Sequence, residues 1–188
     1  MSRLIALALV ALVAGSVVAV AGAGRIKGTA GNDTLTGTER HDLIAGFAGD
    51  DTISGLGGGD VLFGGAGNDT VSGGNGIDVV FGGSGNDTLR GDDGLDILRG
   101  RSGDDSVDGG NGPDILFGGW GTDTLAGGAG HDRLHAVARD GLLDSLDCGD
   151  GRDVAIVREG EPVSITGCER VKTVPASHAA PGVRPDGS

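Results

Sequence analysis

From Gly28 to His135 the polar and apolar positions of this chain repeat every nine residues, twelve times over, without insertion or deletion. One aliphatic residue recurs at the eighth position of each unit: Leu35, Ile44, Ile53, Leu62, Val71, Val80, Leu89, Leu98, Val107, Leu116, Leu125 and Leu134. Strand side chains alternate with a period of two, so the eighth position faces one way and the seventh and ninth the other. The unit reads as a turn followed by a short strand with one aliphatic side chain turned inward. A single unit cannot enclose a core, whereas stacked units bury a continuous column.

A second period, of eighteen residues, is superposed on the first. The seventh position runs Thr34, Leu43, Thr52, Val61, Thr70, Val79, Thr88, Ile97, Ser106, Ile115, Thr124 and Arg133, so that hydroxyl and aliphatic side chains alternate until the last unit. Two nonapeptides therefore make one coil, and odd and even strands belong to opposite sheets. The expected fold is all-β, a flattened parallel solenoid.

The turn half of the unit is as regular. Its first position is Gly in all twelve units, from Gly28 to Gly127, and its fourth is Gly everywhere except Arg40 in the second unit. Two glycines permit the positive φ that a tight turn needs. The sixth position is always aspartate: Asp33, Asp42, Asp51, Asp60, Asp69, Asp78, Asp87, Asp96, Asp105, Asp114, Asp123 and Asp132. Written out, the pattern is G-x-x-G-x-D-x-U-x, with U aliphatic and the second position also Gly in half the units, as in Gly64 to Ser72. It resembles the RTX, or haemolysin-type, calcium-binding nonapeptide family over 108 of the 188 residues. The resemblance implies a right-handed parallel β-roll with calcium ions between the turns of successive coils, at most five on each side.

Elementary electrostatics points the same way. Aspartates eighteen residues apart stack at ~4.8 Å, and each neighbouring pair then repels by ~0.9 kcal/mol in a water-like dielectric. A bound cation reverses that sign. Several calcium ions are the expected cofactor, because calcium is hard, takes about six to eight oxygens, and accepts backbone carbonyls alongside carboxylates. The twelve aspartates are the candidate ligands, with the pair Asp42 and Asp60 weakest because Glu39 and Arg40 break the glycine pattern there. On residues alone, each aspartate could instead be a turn former accepting backbone N–H groups.

The flanks read differently. Residues 1–23, with Arg3, an apolar run from Leu4 and small residues at Ala21-Gly22-Ala23, are expected to be a secretory signal, which places the mature chain outside the cell from about Gly24. The competing reading is a retained anchor, since the apolar stretch is 18 residues long. RTX exoproteins usually leave through a C-terminal signal, and this chain departs from that arrangement. Residues 136–174 are expected to hold two degenerate repeats, built on Asp144 and Asp153, and a small C-terminal β cap with strands on either side of Glu159-Gly160-Glu161. Cys148 and Cys168 are the two cysteines, both in this cap, and a disulfide is the economical reading in an exported chain. Residues 175–188 are rich in Pro, Ala, Gly and Ser and are expected to be disordered.

Composition adds exclusions. Forty-one glycines, no tyrosine and one tryptophan do not suit an ordinary globular core. A net charge of −13 argues against a general nucleic-acid binder and for cations. No catalytic residues emerge: His41 and His131 occupy the fifth position of the turn, His135 the ninth and His178 the tail, none beside a serine or cysteine in triad fashion. The even strands present Leu43, Val61, Phe63, Val79, Phe81, Ile97, Ile115 and Phe117 outward, an apolar face suited to docking the cap, a second copy or another protein. The odd face, with Thr34 and Thr36, Thr52 and Ser54, Thr70 and Ser72, then Thr88, Ser106 and Thr124, resembles the hydroxyl ladder of ice-binding solenoids, although Arg90 and Asp108 interrupt its second column. The expected function is a secreted, non-enzymatic calcium-binding β-roll with a structural, adhesive or matrix role. The alternatives are an interaction module for a separate secreted enzyme or toxin and, more distantly, an ice-binding protein.

Overall fold

The computed structural model describes residues 10–13, 16–20, 24–138 and 140–176. Among them every regular element is a strand. In the repeats, each full strand begins at the seventh position of one unit and continues into the turn half of the next, as in Thr52–Gly57, Val61–Ala66, Thr70–Gly76 and Val79–Ser84. Odd strands pair in parallel with a register of eighteen: Thr34 beside Thr52, Thr70, Thr88, Ser106 and Thr124 in turn. Even strands do the same, from Leu43 through Val61, Val79, Ile97 and Ile115 to Arg133. The chain winds alternately through the two sheets as a parallel β-roll of about eight coils.

Alternation places the core where the pattern requires. The twelve eighth-position aliphatics are at most 1% exposed and form one column, extended by Ile26 before the repeats and by Leu146 and Ala155 after them. Seventh and ninth positions face outward. The core is one residue thick per strand, so the glycine-rich turns, and not apolar bulk, set how closely successive coils approach.

At the N-terminal end Arg25–Lys27 adds a strand to the even sheet, Ile26 lying beside Ile44. Within the expected leader, Val10–Val13 and Ser16–Val20 pair antiparallel, and the second of these strands pairs in parallel with Thr34–Thr36. The rest of that expected leader lies outside the described residues, as do residues 177–188 of the expected tail. No helix among the described residues is long and apolar enough to cross a membrane.

At the C-terminal end the solenoid continues. Asp144–Asp147 and Val154–Arg158 take the places of the next odd and even strands with a register of twenty-one, which absorbs the three-residue insertion at Ala136–Ala138. The turn at Glu159 to Glu161 crosses the roll, so Val163–Thr166 joins the odd sheet and Arg170–Val174 closes the even one. Cys148 and Cys168 are joined, with their Cα atoms 5.0 Å apart. Closing a loop of this size stabilises by ~3 kcal/mol in the chain-entropy model. Reduction is therefore expected to speed amide exchange in Val163–Thr166 and Arg170–Val174 while leaving Thr52–Gly130 protected, measured by hydrogen exchange under calcium.

The outer face of the even sheet differs from its sequence expectation. The residues are half-buried, and their ninth-position column is aromatic and cationic instead of purely apolar. Phe63 stacks on Phe81 at 4.9 Å and Phe117 on His135 at 4.4 Å. Between these pairs the Arg99 guanidinium lies 5.9 Å from the Phe81 ring and 4.7 Å from Phe117, and Arg101 lies 4.9 Å from Phe81. Counting hydrophobicity leaves out a cation that packs on ring faces. The cap does not dock here; its strands extend the ends of both sheets.

Candidate metal centre

Each aspartate of the repeat sits at the mouth of its strand, at most 4% exposed. Its two carboxylate oxygens have different fates. The Oδ1 accepts the backbone N–H of the aspartate one coil earlier: Asp33 donates to Asp51 at 2.7 Å, Asp51 to Asp69 at 2.9 Å, and the series runs on to Asp123. On the opposite edge Asp42 donates to Asp60, and the chain of bonds continues to Asp132. The turn-former reading is thus correct for one oxygen. The Oδ2 atoms of Asp51, Asp60, Asp69, Asp78, Asp87, Asp96, Asp105, Asp114, Asp123 and Asp132 are buried without any hydrogen-bond partner. An unsatisfied, desolvated carboxylate oxygen is costly, and ten in a row call for a common partner.

The space beside each Oδ2 is kept open by the first-position glycine. A Cβ added to Gly91 would lie 2.5 Å from Asp96 Oδ2 and 2.5 Å from the carbonyl oxygen of Gly109 in the next coil. At Gly73 the same test gives 2.5 Å to Asp78 Oδ2 and 2.9 Å to Gly91 O. Carboxylate and carbonyl oxygens therefore converge over a glycine from two successive coils. This corrects the expectation that both glycines serve positive φ. The first position is glycine because its side-chain space is the cradle; the fourth, as at Gly76 with φ 144°, combines positive φ with close backbone contact. Positive φ also falls on the second position, even where it is Phe47, Leu56, Asp92 or Arg101.

The first coil is built otherwise. Thr29 and Thr38, at the second position, donate both N–H and hydroxyl to Oδ2 of Asp33 and Asp42. Burial raises the Asp42 pKa, but hydrogen bonds from Gly24, the Thr38 hydroxyl and the Thr38 N–H outweigh it and leave the carboxyl below its usual value. At the other end the ladder outruns the repeats. Asp123 donates to Asp144 and Asp132 to Asp153, whose Oδ2 is also buried and unpartnered, and the Asp153 N–H is received by Glu169. Asp144 and Asp153 belong with the twelve; their nine-residue spacing was the signal. A further ladder escaped the sequence reading: at the fifth position of the odd units Asn32, Asp50, Asn68, Asn86 and Asp104 each accept the N–H of the next coil's fifth residue. The even edge carries His41, Gly59, Ile77, Leu95, Pro113 and His131 instead.

Among the described residues no three His, Cys, Asp or Glu side chains gather as a metal cluster. Each coil contributes one carboxylate per edge, and a carbonyl of the glycine turn of the next coil lies beside it. His41 and His131 brace turns through Nδ1, against the Gly59 backbone and the Arg152 N–H respectively.

The buried carboxyls are shifted as unpaired charges should be. Burial raises them, the N–H bond from the preceding aspartate lowers them, and neighbouring carboxylates raise them again; Asp96, Asp105 and Asp114 stand at about 7, and Asp51, Asp60, Asp87 and Asp123 at about 6. Folded pKa values above the unfolded value mean that this contribution to stability is present in full below about pH 4 and is lost as pH rises through about 7. In chelator, β-structure is therefore expected to be greater at pH 4.5 than at pH 8 by circular dichroism. With calcium present the dependence is expected to reverse, because an ion held by these carboxylates would compete with protons for the same oxygens.

Parallel sheets, glycine cradles and stacked carboxylates define a calcium-binding β-roll. The family model of the RTX calcium-binding nonapeptide repeat (4 copies) matches residues 19–46, 27–62, 45–80, 63–98, 72–107 and 99–134, together more than half of the chain. The chain belongs to that family. No curated protein matches it.

Proposed function

We propose that this is an exported β-roll whose folding is coupled to extracellular calcium, with a structural role and no catalysis of its own. The observation that carries this reading is the run of buried Oδ2 atoms without partners. The ligands would be the Oδ2 atoms of Asp51 to Asp132 and the glycine-turn carbonyls, several ions being shared between neighbouring coils. Bound calcium supplies positive charge where the apo roll holds only like charges. The chain's own residues do the rest: Oδ1 fixes each carboxylate to the preceding coil, the first-position glycine leaves the space open, and the aliphatic column holds the coils in register. Asp33 and Asp42 would hold ions least well, because threonine donors already occupy their Oδ2.

Export fits the N-terminal geometry. Cleavage after Ala23 would place the new α-amino group at Gly24, whose N–H already lies 2.9 Å from Asp42 Oδ1, and turn that hydrogen bond into an ion pair. Intact mass of the protein from culture medium tests this: a chain starting at Gly24 is expected, and full-length protein in the membrane fraction would overturn it. The disulfide suits the same compartment. Calorimetric titration with calcium, with magnesium as control, tests the central reading; binding of several calcium ions is expected, and no heat above dilution would refute it.

A further inference from the structure

The two faces of the roll carry opposite charge, although the chain as a whole is strongly acidic. The nine strands of the even sheet contain eight of the chain's fourteen Lys and Arg residues and not one Asp or Glu. Arg25 and Lys27 lie at its N-terminal end, Arg99 and Arg101 at mid-length, and Arg133, Arg170 and Lys172 at its C-terminal end, all exposed. None of them is ion-paired with a carboxylate of the described residues. The Arg99 guanidinium lies over the Phe117 ring and that of Arg101 over the Phe81 ring, which holds both cations on this face. The odd sheet shows the converse: Asp92, Asp93, Asp108, Asp147 and Asp150 point away from the core, against the single cation Arg90. Asp92, Asp93 and Asp108 belong to the same two units as Arg99 and Arg101, so the acidic and basic centres stand at one level on opposite faces.

We propose that copies of this chain stack face to face, the even sheet of one on the odd sheet of the next. A copy displaced perpendicular to its sheets brings Arg99 and Arg101 over Asp92, Asp93 and Asp108 without any shift along the roll axis. Nine strands at ~4.8 Å spacing and six residues at ~3.3 Å give each face a plan area of ~760 Å². Stable interfaces bury ~600–1,000 Å² per partner, and one face lies within that range. Because the two surfaces differ, the contact is heterologous and leaves a free face at each end, so stacking extends into a filament and does not stop at a dimer. Phe63, Phe81 and Phe117 then meet the small Ser and Thr side chains of the odd face, where shallow packing leaves direction to the charges.

The proposal rests on the calcium reading, because the faces exist only in the folded roll. Calcium also removes the general obstacle: at two charges per ion against a formal −13, six or seven ions bring a copy near neutrality. The test is sedimentation velocity of the full chain in calcium, with folding followed by circular dichroism in the same samples. The wild type is expected to form a concentration-dependent series of oligomers at low ionic strength, lost at ~0.5 M salt, where the Debye length falls below the strand spacing. Arg99→Gln with Arg101→Gln, and separately Asp92→Asn with Asp93→Asn and Asp108→Asn, are each expected to weaken association at least tenfold while remaining folded. Mixed together, the two variants keep one intact pair of faces and should give dimers that grow no further. A folded wild type that stays monomeric at low salt overturns the stacking and leaves the calcium reading standing. So does a folded monomer that instead binds polygalacturonate, which would assign the basic face to an acidic polysaccharide. A chain without β-structure in calcium overturns the calcium reading, and calcium-gated stacking with it. Oligomers unaffected by either set of substitutions also refute the proposal.

Discussion

Chelation is expected to convert the roll into an expanded chain, and restored calcium to refold it in one cooperative transition. The reason lies in what the apo fold must tolerate. Ten repeat carboxylates, and Asp153 after them, each keep one buried oxygen without a partner, and neighbours stacked at ~4.8 Å repel by ~0.9 kcal/mol even at a water-like dielectric. The opposing core is a column of single Leu, Ile and Val side chains, and forty-one glycines must be ordered to form it. Because each interior aspartate faces the coils on both sides, filling one gap prepares the next, and the transition should be steep. Its midpoint is expected at ~10⁻⁴ to 10⁻³ M calcium, the range of extracellular modules. Far-ultraviolet circular dichroism across a calcium titration measures it. A chain equally rich in β-structure at neutral pH in chelator and in calcium would show that backbone hydrogen bonding alone supports the aspartates.

Asp96→Asn is expected to act with opposite signs in the two states. The asparagine Oδ1 can still accept the Asp78 N–H, which it meets at 2.8 Å in the wild type, so the backbone bond between coils survives. The change falls on Oδ2, where an amide replaces a carboxylate that burial and neighbouring charge already push to about 7. In chelator at pH 8 this removes a buried charge from the middle of the ladder and should stabilise whatever roll is present. In calcium it should raise the folding midpoint about tenfold, the effect of losing ~1.4 kcal/mol of binding. Asp96→Ala loses the inter-coil bond as well and should destabilise both states. Thermal melts of the two variants in chelator at pH 8 and at pH 4.5, where Asp96 is already protonated, and in calcium at pH 8 separate these roles. If Asn leaves the calcium midpoint unchanged while Ala raises it, Asp96 is turn chemistry and not a ligand.

Much of this was written in the chain. The eighth-position aliphatics and the eighteen-residue alternation at the seventh position determine strands, coil size and the assignment of strands to two sheets, because a side-chain period of two leaves one orientation that buries Leu35 to Leu134. The sixth-position aspartates were legible as a ladder for the same reason. Other features depend on atoms that meet only across coils. Sequence cannot say that Oδ1 and Oδ2 of one carboxylate have different partners, since the donor to Asp51 comes from Asp33 and the oxygen converging with Asp96 Oδ2 comes from Gly109. Nor does it distinguish the glycine of the cradle from the glycine of the turn, one set by contact and the other by φ. Thr29 and Thr38 read as ordinary variation at the second position until their hydroxyls are seen to donate to Oδ2 of Asp33 and Asp42. The opposite charges of the two faces were likewise invisible in a net charge of −13, because alternating strands separate in space what the chain interleaves. Local period fixed the fold; the distribution of charge and of unsatisfied oxygen was decided by stacking, which brings together residues eighteen apart.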